Sequence, residues 1–174
     1  VMEKLRGRDL REHLKQHGKL SGQDTANILT QLCKGLSRAH ELGVVHRDIK
    51  PANVFLVDSG GELFVKVLDF GVAKYGGDSN MRMTSTGVMM GTPYYMSPEQ
   101  LLDSKTVDHL CDLWAAAILT YTCLTGLEPF LGDTISSVTI AVHTGDFTPV
   151  TTARPDMTPA VDTWFAKALA QEPS

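Results

Sequence analysis

His46-Arg47-Asp48-Ile49-Lys50-Pro51-Ala52-Asn53 is the stretch around which the rest of the chain is arranged. It follows a long helical pattern and precedes an apolar run, Val54-Phe55-Leu56-Val57. Its polar side chains have separate chemical uses. Asp48 can take a proton from a hydroxyl, Lys50 places a cation two residues on, and Asn53 offers an amide oxygen suited to a hard metal ion. Pro51 stiffens the turn between them. A second apolar run, Leu63 to Leu68, ends at Asp69-Phe70-Gly71, where a carboxylate beside a permissive glycine makes a further candidate metal ligand. One base, one cation and two oxygen ligands suit phosphoryl transfer from a nucleotide, a reaction that depends on positioning and charge neutralisation.

Working outward, Ile28, Leu29, Leu32, Leu36, Ala39 and Leu42 recur at helical spacing and predict a helix over 21–42. Ser21 or Asp24 suits its start and Gly43 its end. Asp9 reads as an N-cap before Leu10-Arg11-Glu12-His13-Leu14, and Gly18 as the stop. Val54–Val57 and Leu63–Leu68, joined by Asp58-Ser59-Gly60-Gly61-Glu62, predict a hairpin that returns Asp69 to the side of Asn53. Residues 72–96 lack sustained periodicity, and so long an irregular stretch is usually functional or mobile. Val107 to Thr125 is apolar on nearly every side, which predicts a helix in the middle of the domain. Two amphipathic helices are expected over 136–143 and 159–170.

Composition sets the outer limits. The chain has 174 residues, 43% hydrophobic and 21% charged, with a net charge of −4. That is ordinary for a globular domain and points to neither nucleic acid nor membrane as a partner. The longest purely apolar run, Leu113 to Leu119, falls well short of the ~20 residues that span a bilayer. Cys33, Cys111 and Cys123 are widely spaced and form no Cys-x-x-Cys pair, which reads as buried thiols in a reducing compartment rather than a zinc site.

The ordered motifs resemble those of protein kinases. His46 to Asn53 is similar to the catalytic loop of that family, Asp69-Phe70-Gly71 to its metal-binding triplet, and Ser97-Pro98-Glu99 to its Ala-Pro-Glu, with Ser in place of Ala. The resemblance implies a mainly α, α+β overall, fold: the large helical lobe of a bilobal kinase, with a short β-hairpin at the cleft. Residues 1–8 then form the end of a strand and the interlobe link. Residues 9–68 form helices, catalytic loop and hairpin, 69–99 the activation segment, and 100–174 a helical subdomain.

Its further implications are these. ATP and Mg2+ are the expected cofactors, with Asp48, Lys50 and Thr92 catalytic and Asn53 and Asp69 holding the metal. Glu3, Leu5, Asp9, Leu10 and Phe55, together with Lys50, Asn53 and Asp69, line the nucleotide site. Thr84, Ser85 and Thr86 are candidate regulatory phosphosites, clasped once phosphorylated by Arg47 and Lys74; the plainer reading is a solvated Ser/Thr loop. His46, Phe70, Glu99 and Asp112 support the site, Asp112 by receiving backbone N–H groups from the catalytic loop. Lys50 with Thr92 resembles Ser/Thr kinases rather than tyrosine kinases, and Thr84 with Thr86 resembles bacterial-type ones.

The expected partners are Ser/Thr-bearing protein substrates and a kinase small lobe. That lobe's Gly-rich loop and strand lysine precede residue 1, so these 174 residues alone are expected to have little or no activity. Glu99 is expected to lack its usual arginine, since Arg154 is the only arginine after it and falls before the last helix. The expected location is cytoplasmic, either free or as the cytoplasmic domain of a membrane-anchored kinase. A pseudokinase scaffold and a small-molecule phosphotransferase are the alternatives. Intact Asp48, Lys50, Asn53 and Asp69 argue against the first, and Arg47 with the 91–99 segment against the second.

Overall fold

The computed structural model describes residues 5–59, 62–70, 93–102 and 107–171. Its architecture is a helical body with a small antiparallel sheet at one end. Strand β1 (Gly7–Asp9) leads into helix α1 (Leu10–His17), then α2 (Gly22–Glu41), a 3-10 turn at Pro51–Asn53, β2 (Val54–Ser59) and β3 (Glu62–Val67). A second 3-10 turn at Pro93–Tyr95 precedes α3 (Pro98–Leu102), α4 (Leu110–Thr125), α5 (Ile135–Thr144), α6 (Val150–Ala153) and α7 (Ala160–Ala168). The sheet order is β1-β2-β3, with Asp9 opposite Phe55 and Val54 opposite Val67.

The helix boundaries have local causes. Asp9 caps α1 by accepting the Glu12 N–H at 2.8 Å, and Gly18 closes it with a left-handed φ of 73°. Ser21, not Asp24, caps α2, accepting the Asp24 N–H at 3.0 Å. The expected start of α4 moves from Val107 to Leu110, because the Asp108 carboxylate takes the Leu110 N–H at 2.8 Å and holds the residues before it out of the helix. The strand pairing of Gly7–Asp9 is not expected from the sequence, which places the end of a strand and a link over residues 1–8. A three-residue pairing carries no periodicity to detect. Gly7 is required there: a Cβ would fall 2.0 Å from the Leu56 carbonyl oxygen.

Helix α4 is the axis of the body. From Cys111 to Thr125 only Leu113 is exposed. Its threonines tolerate burial because each hydroxyl donates to a carbonyl one turn back: Thr120 to Ala116, Thr122 to Ile118 and Thr125 to Tyr121, at 2.7, 3.0 and 2.8 Å. Ala115, Ala116 and Ala117 keep α4 slim where α2 packs on it through Ile28, Leu32 and Leu36. Trp114 stacks on Phe130, and Tyr121 meets Phe165 edge-on at 5.5 Å. Burial pushes the Cys111 and Cys123 thiols up, Cys123 to about 12, so both stay protonated and unreactive. No helix of the described residues is long and apolar enough to cross a membrane.

Two side chains tie the layers together. Gln31 on α2 donates to the Leu63 carbonyl at 3.1 Å and accepts the Val65 N–H at 3.0 Å, which satisfies the outer edge of β3 much as a further strand would. Arg154, buried after α6, donates to the carbonyls of Leu20 and Leu124, both at 2.9 Å, and to Asp156 at 2.8 and 2.7 Å. It therefore fastens the entry of α2 to the end of α4. Arg154→Met keeps the aliphatic stem but strands two buried carbonyls, and a loss of about 2 kcal/mol is expected. A denaturant titration of the variant beside wild type reads this directly.

Hydrogen bonding from Arg154 lowers the Asp156 carboxyl from 3.8 to about 2. A depressed folded pKa means that the ionised form supports folding above about pH 4, and that the support fades as pH falls toward 2. Wild type is therefore expected to be more stable than Asp156→Asn near neutral pH, and the two unfolding curves should converge as pH approaches 2.

Candidate active site

The end of α2 launches the central loop. Leu42 and Gly43 close the helix by donating to Ala39 and His40 at 3.0 and 2.9 Å, and Gly43 adopts φ 74°. The chain then turns through Arg47, which has φ 63°, a left-handed conformation unusual for a bulky residue. Such backbone persists when its surroundings over-determine it. Here Asp112, 1% exposed at the start of α4, accepts the His46 N–H at 2.8 Å and the Arg47 N–H at 2.7 Å. The left-handed turn is what aims two consecutive N–H groups at one carboxylate. On the other side of the same residue, Gln100 donates to the Arg47 carbonyl at 3.0 Å, and Arg47 Nη2 donates to the Val107 carbonyl at 3.1 Å.

His46 is wholly buried and joins the two halves of the site. Its Nδ1 accepts the Asp48 N–H at 3.2 Å, so its proton sits on Nε2, which donates to the Leu68 carbonyl at 2.8 Å. One imidazole thus links the residue bearing the Asp48 carboxylate to the peptide just before Asp69. Phe70 covers the His46 ring at a centroid separation of 4.8 Å.

Asp48 Oδ2 meets Lys50 Nζ at 2.9 Å and Asn53 Nδ2 at 3.2 Å. Asn53 Nδ2 also donates to the Asp48 carbonyl at 2.8 Å. Both amide hydrogens are then engaged on Asp48, which leaves Oδ1 as the Asn53 atom for a cation. The Leu68 N–H donates to the Asn53 carbonyl at 2.8 Å, fixing the Asp69 turn against the His46–Asn53 loop. Asp69 is exposed and left-handed, with φ 53°. Asn53 Oδ1 and the Asp69 carboxylate are hard oxygen donors on adjoining backbone, a set that fits Mg2+.

The remaining candidates divide in four. Asp9 and Phe55 are register partners on β1 and β2, so their side chains share one face of the sheet, and Leu5 lies half-buried just before. Leu10, expected beside them at the nucleotide, has no exposed surface and belongs to the core, because the first turn of α1 points it beneath the sheet. Glu3, Lys74, Thr84, Ser85, Thr86 and Thr92 lie outside the described residues. Glu99 is half-buried beside a cavity of about 400 Å³ that Trp114, Trp164 and Lys167 also line. Arg154 is engaged by Leu20, Leu124 and Asp156.

Sequence reasoning passed over two tethers. His40 Nε2 lies 2.8 Å from Asp112 Oδ2, a third contact on the carboxylate that grips the loop. Gln100, besides holding Arg47, accepts the Ser97 N–H at 3.1 Å and the Ser97 hydroxyl at 3.4 Å. The serine that stands where the family pattern has alanine is therefore buried with its hydroxyl satisfied.

Asp48 paired with Lys50, with the oxygen donors of Asn53 and Asp69 on adjoining backbone, is a set of groups of the kind phosphoryl transfer uses. A family model described as the protein kinase domain matches residues 1–164, and the chain belongs to that family. It is 38% identical over 178 residues to a probable serine/threonine-protein kinase PknB of Corynebacterium glutamicum, covering 100% of this chain and 27% of the relative. It is likewise 38% identical over 179 residues to serine/threonine-protein kinase pkn3 of Myxococcus xanthus, covering 100% of this chain and 32% of that protein. The chain thus spans about a third or less of these curated relatives. Among solved structures, Rad53 residues 1–466 in complex with AMP-PNP superposes with a TM-score of 0.77 at 26% identity, over 99% of this chain and 42% of that one.

Proposed function

We propose that the protein containing this chain transfers the γ-phosphoryl group of ATP to Ser or Thr hydroxyls of other proteins. The observation that carries the proposal is the convergence on one carboxylate: Lys50 at 2.9 Å and Asn53 at 3.2 Å from Asp48 Oδ2, with His46 binding the Asp48 backbone to the peptide before Asp69. The serine/threonine-kinase names of the relatives support the same reading, and the AMP-PNP complex of Rad53 supports a nucleotide substrate.

In this reading Asp48 orients the acceptor hydroxyl and takes its proton as the oxygen attacks. Lys50 holds the carboxylate in place and faces the charge on the group in transit. Asn53 Oδ1 and Asp69 hold Mg2+, which when bound neutralises phosphate charge. Phe55 lies under the nucleotide base and Asp9 meets the ribose. Thr92 positions the base, Thr84, Ser85 and Thr86 carry regulatory phosphate, and Arg47 and Lys74 receive it. Asp112, His46, Phe70 and Glu99 support the loop.

The test is direct. Full-length protein, Mg-ATP and a mixed protein substrate are incubated, and phosphosites are mapped by mass spectrometry. Phosphoserine and phosphothreonine, on substrate and on residues 84–86, are expected. A correctly folded full-length protein that binds Mg-ATP yet transfers nothing would overturn the reading in favour of a pseudokinase scaffold.

A further inference from the structure

Beside the base lies a cavity of about 300 Å³ that the chemistry above leaves unused. Its walls come from four places: α1, the Pro51–Ala52 turn, Tyr95, and the end of α4. Arg11 and Lys15 stand one helical turn apart on the α1 wall, and Lys50 closes the side nearest the base. Glu128 is the one anion of the lining. Tyr95 and Pro51 supply a largely apolar floor, which strengthens any charge interaction made above it.

The charges of that wall do not cancel. Lys50 is matched by Asp48 at 2.9 Å, which leaves Arg11 and Lys15 as two cations against one anion, Glu128, within the lining. Arg11 leans toward Asp9 at 3.5 Å, but its side chain is 70% exposed, and so open a pair exchanges readily for another carboxylate. Lys50 belongs both to this lining and to the pair with Asp48, so the cavity adjoins the carboxylate on which a substrate hydroxyl would sit and lies within reach of the segment that carries it.

Resting on the phosphoryl-transfer reading, we infer that this cavity selects an acidic side chain flanking the substrate Ser or Thr, with Arg11 and Lys15 as the specificity-determining residues. The substrate class is thus an acidic protein segment. The cations act on binding and orientation of the segment rather than on the transferred group.

The experiment uses the full-length protein, Mg-ATP and synthetic peptides with a single threonine in an Ala/Gly background. One flanking position at a time, on both sides, carries Glu, Ala or Lys. At the position that reaches the cavity, Glu is expected to raise kcat/KM over Ala by roughly fivefold, the factor one partly exposed ion pair supplies, with Lys lowering it. Raising ionic strength should erode that preference in the wild-type protein, a readout that needs no variant to fold. Lys15→Glu, and Arg11→Glu with Lys15→Glu, should reverse it toward Lys. A preference for Lys in wild type would place Glu128 in command and overturn the inference, as would charge-indifferent phosphorylation at every position. Both outcomes leave the kinase reading standing. Folded protein that phosphorylates no peptide and no protein removes both.

Discussion

Asp48→Asn in the full-length protein is expected to lower kcat by about 10²–10⁴-fold while the KM for ATP moves little. Asn is nearly isosteric with Asp, and one oxygen remains to accept from Asn53 or Lys50, so the loop keeps its shape. What disappears is the basic site for the hydroxyl proton and the charge opposite Lys50, 2.9 Å away. The two proposed metal ligands, Asn53 and Asp69, are untouched, which is why nucleotide binding should survive. Asp48 and Lys50 are about a quarter exposed, at 28% and 25%, so losing their pairing costs about 1 kcal/mol at most and the melting temperature should hold within a few degrees. A variant that phosphorylates substrate as fast as wild type would mean that another group is the base.

Asp112→Ala is expected to be damaging in a different way. It strands the N–H groups of His46 and Arg47 and removes the partner of His40. Two unsatisfied buried donors and the release of a left-handed Arg47 should together cost about 3 kcal/mol. For a domain of this size that corresponds to a melting point lower by about 10 °C. Activity should fall as well, because Asp48 is carried one residue beyond the freed turn. Asp112→Asn separates the two effects: it retains one acceptor oxygen and most of the stability, yet gives up the charge that gathers three partners. Hydrogen exchange at the His46 and Arg47 amides, measured on both variants, reports whether the loop has come loose. Amides that stay protected in Asp112→Ala would show that the turn is held by something other than this carboxylate.

The comparison between His46–Asn53 and its tethers shows where reading from the sequence stopped. Residues that act within a few positions of one another were legible: Asp48 with Lys50 and Asn53, the caps at Asp9 and Ser21, and the hairpin that returns Leu68 to Asn53. Asp112 stood out because a carboxylate amid an apolar helix demands donors. His40 and Gln100 did not stand out. They reach Asp112 and Arg47 across 72 and 53 positions, and each occupies an ordinary helical place. Leu10 misled for the opposite reason: it adjoins Asp9 in the chain, yet the start of α1 turns it into the core while Asp9 stays at the sheet.

By itself the sequence determined the long helices, the hairpin and which side chains could serve as base, cation and oxygen ligands, since these follow from residue type and spacing over a few turns of chain, and its ordered motifs carried the resemblance to protein kinases. Only the tertiary structure decided how the central loop is held: the left-handed Arg47, the proton placed on Nε2 of His46, the grip of Asp112, His40 and Gln100, and the cation-rich cavity beside Lys50. These rest on contacts between segments remote along the chain, and such contacts exist only once burial of α4 has brought those segments together.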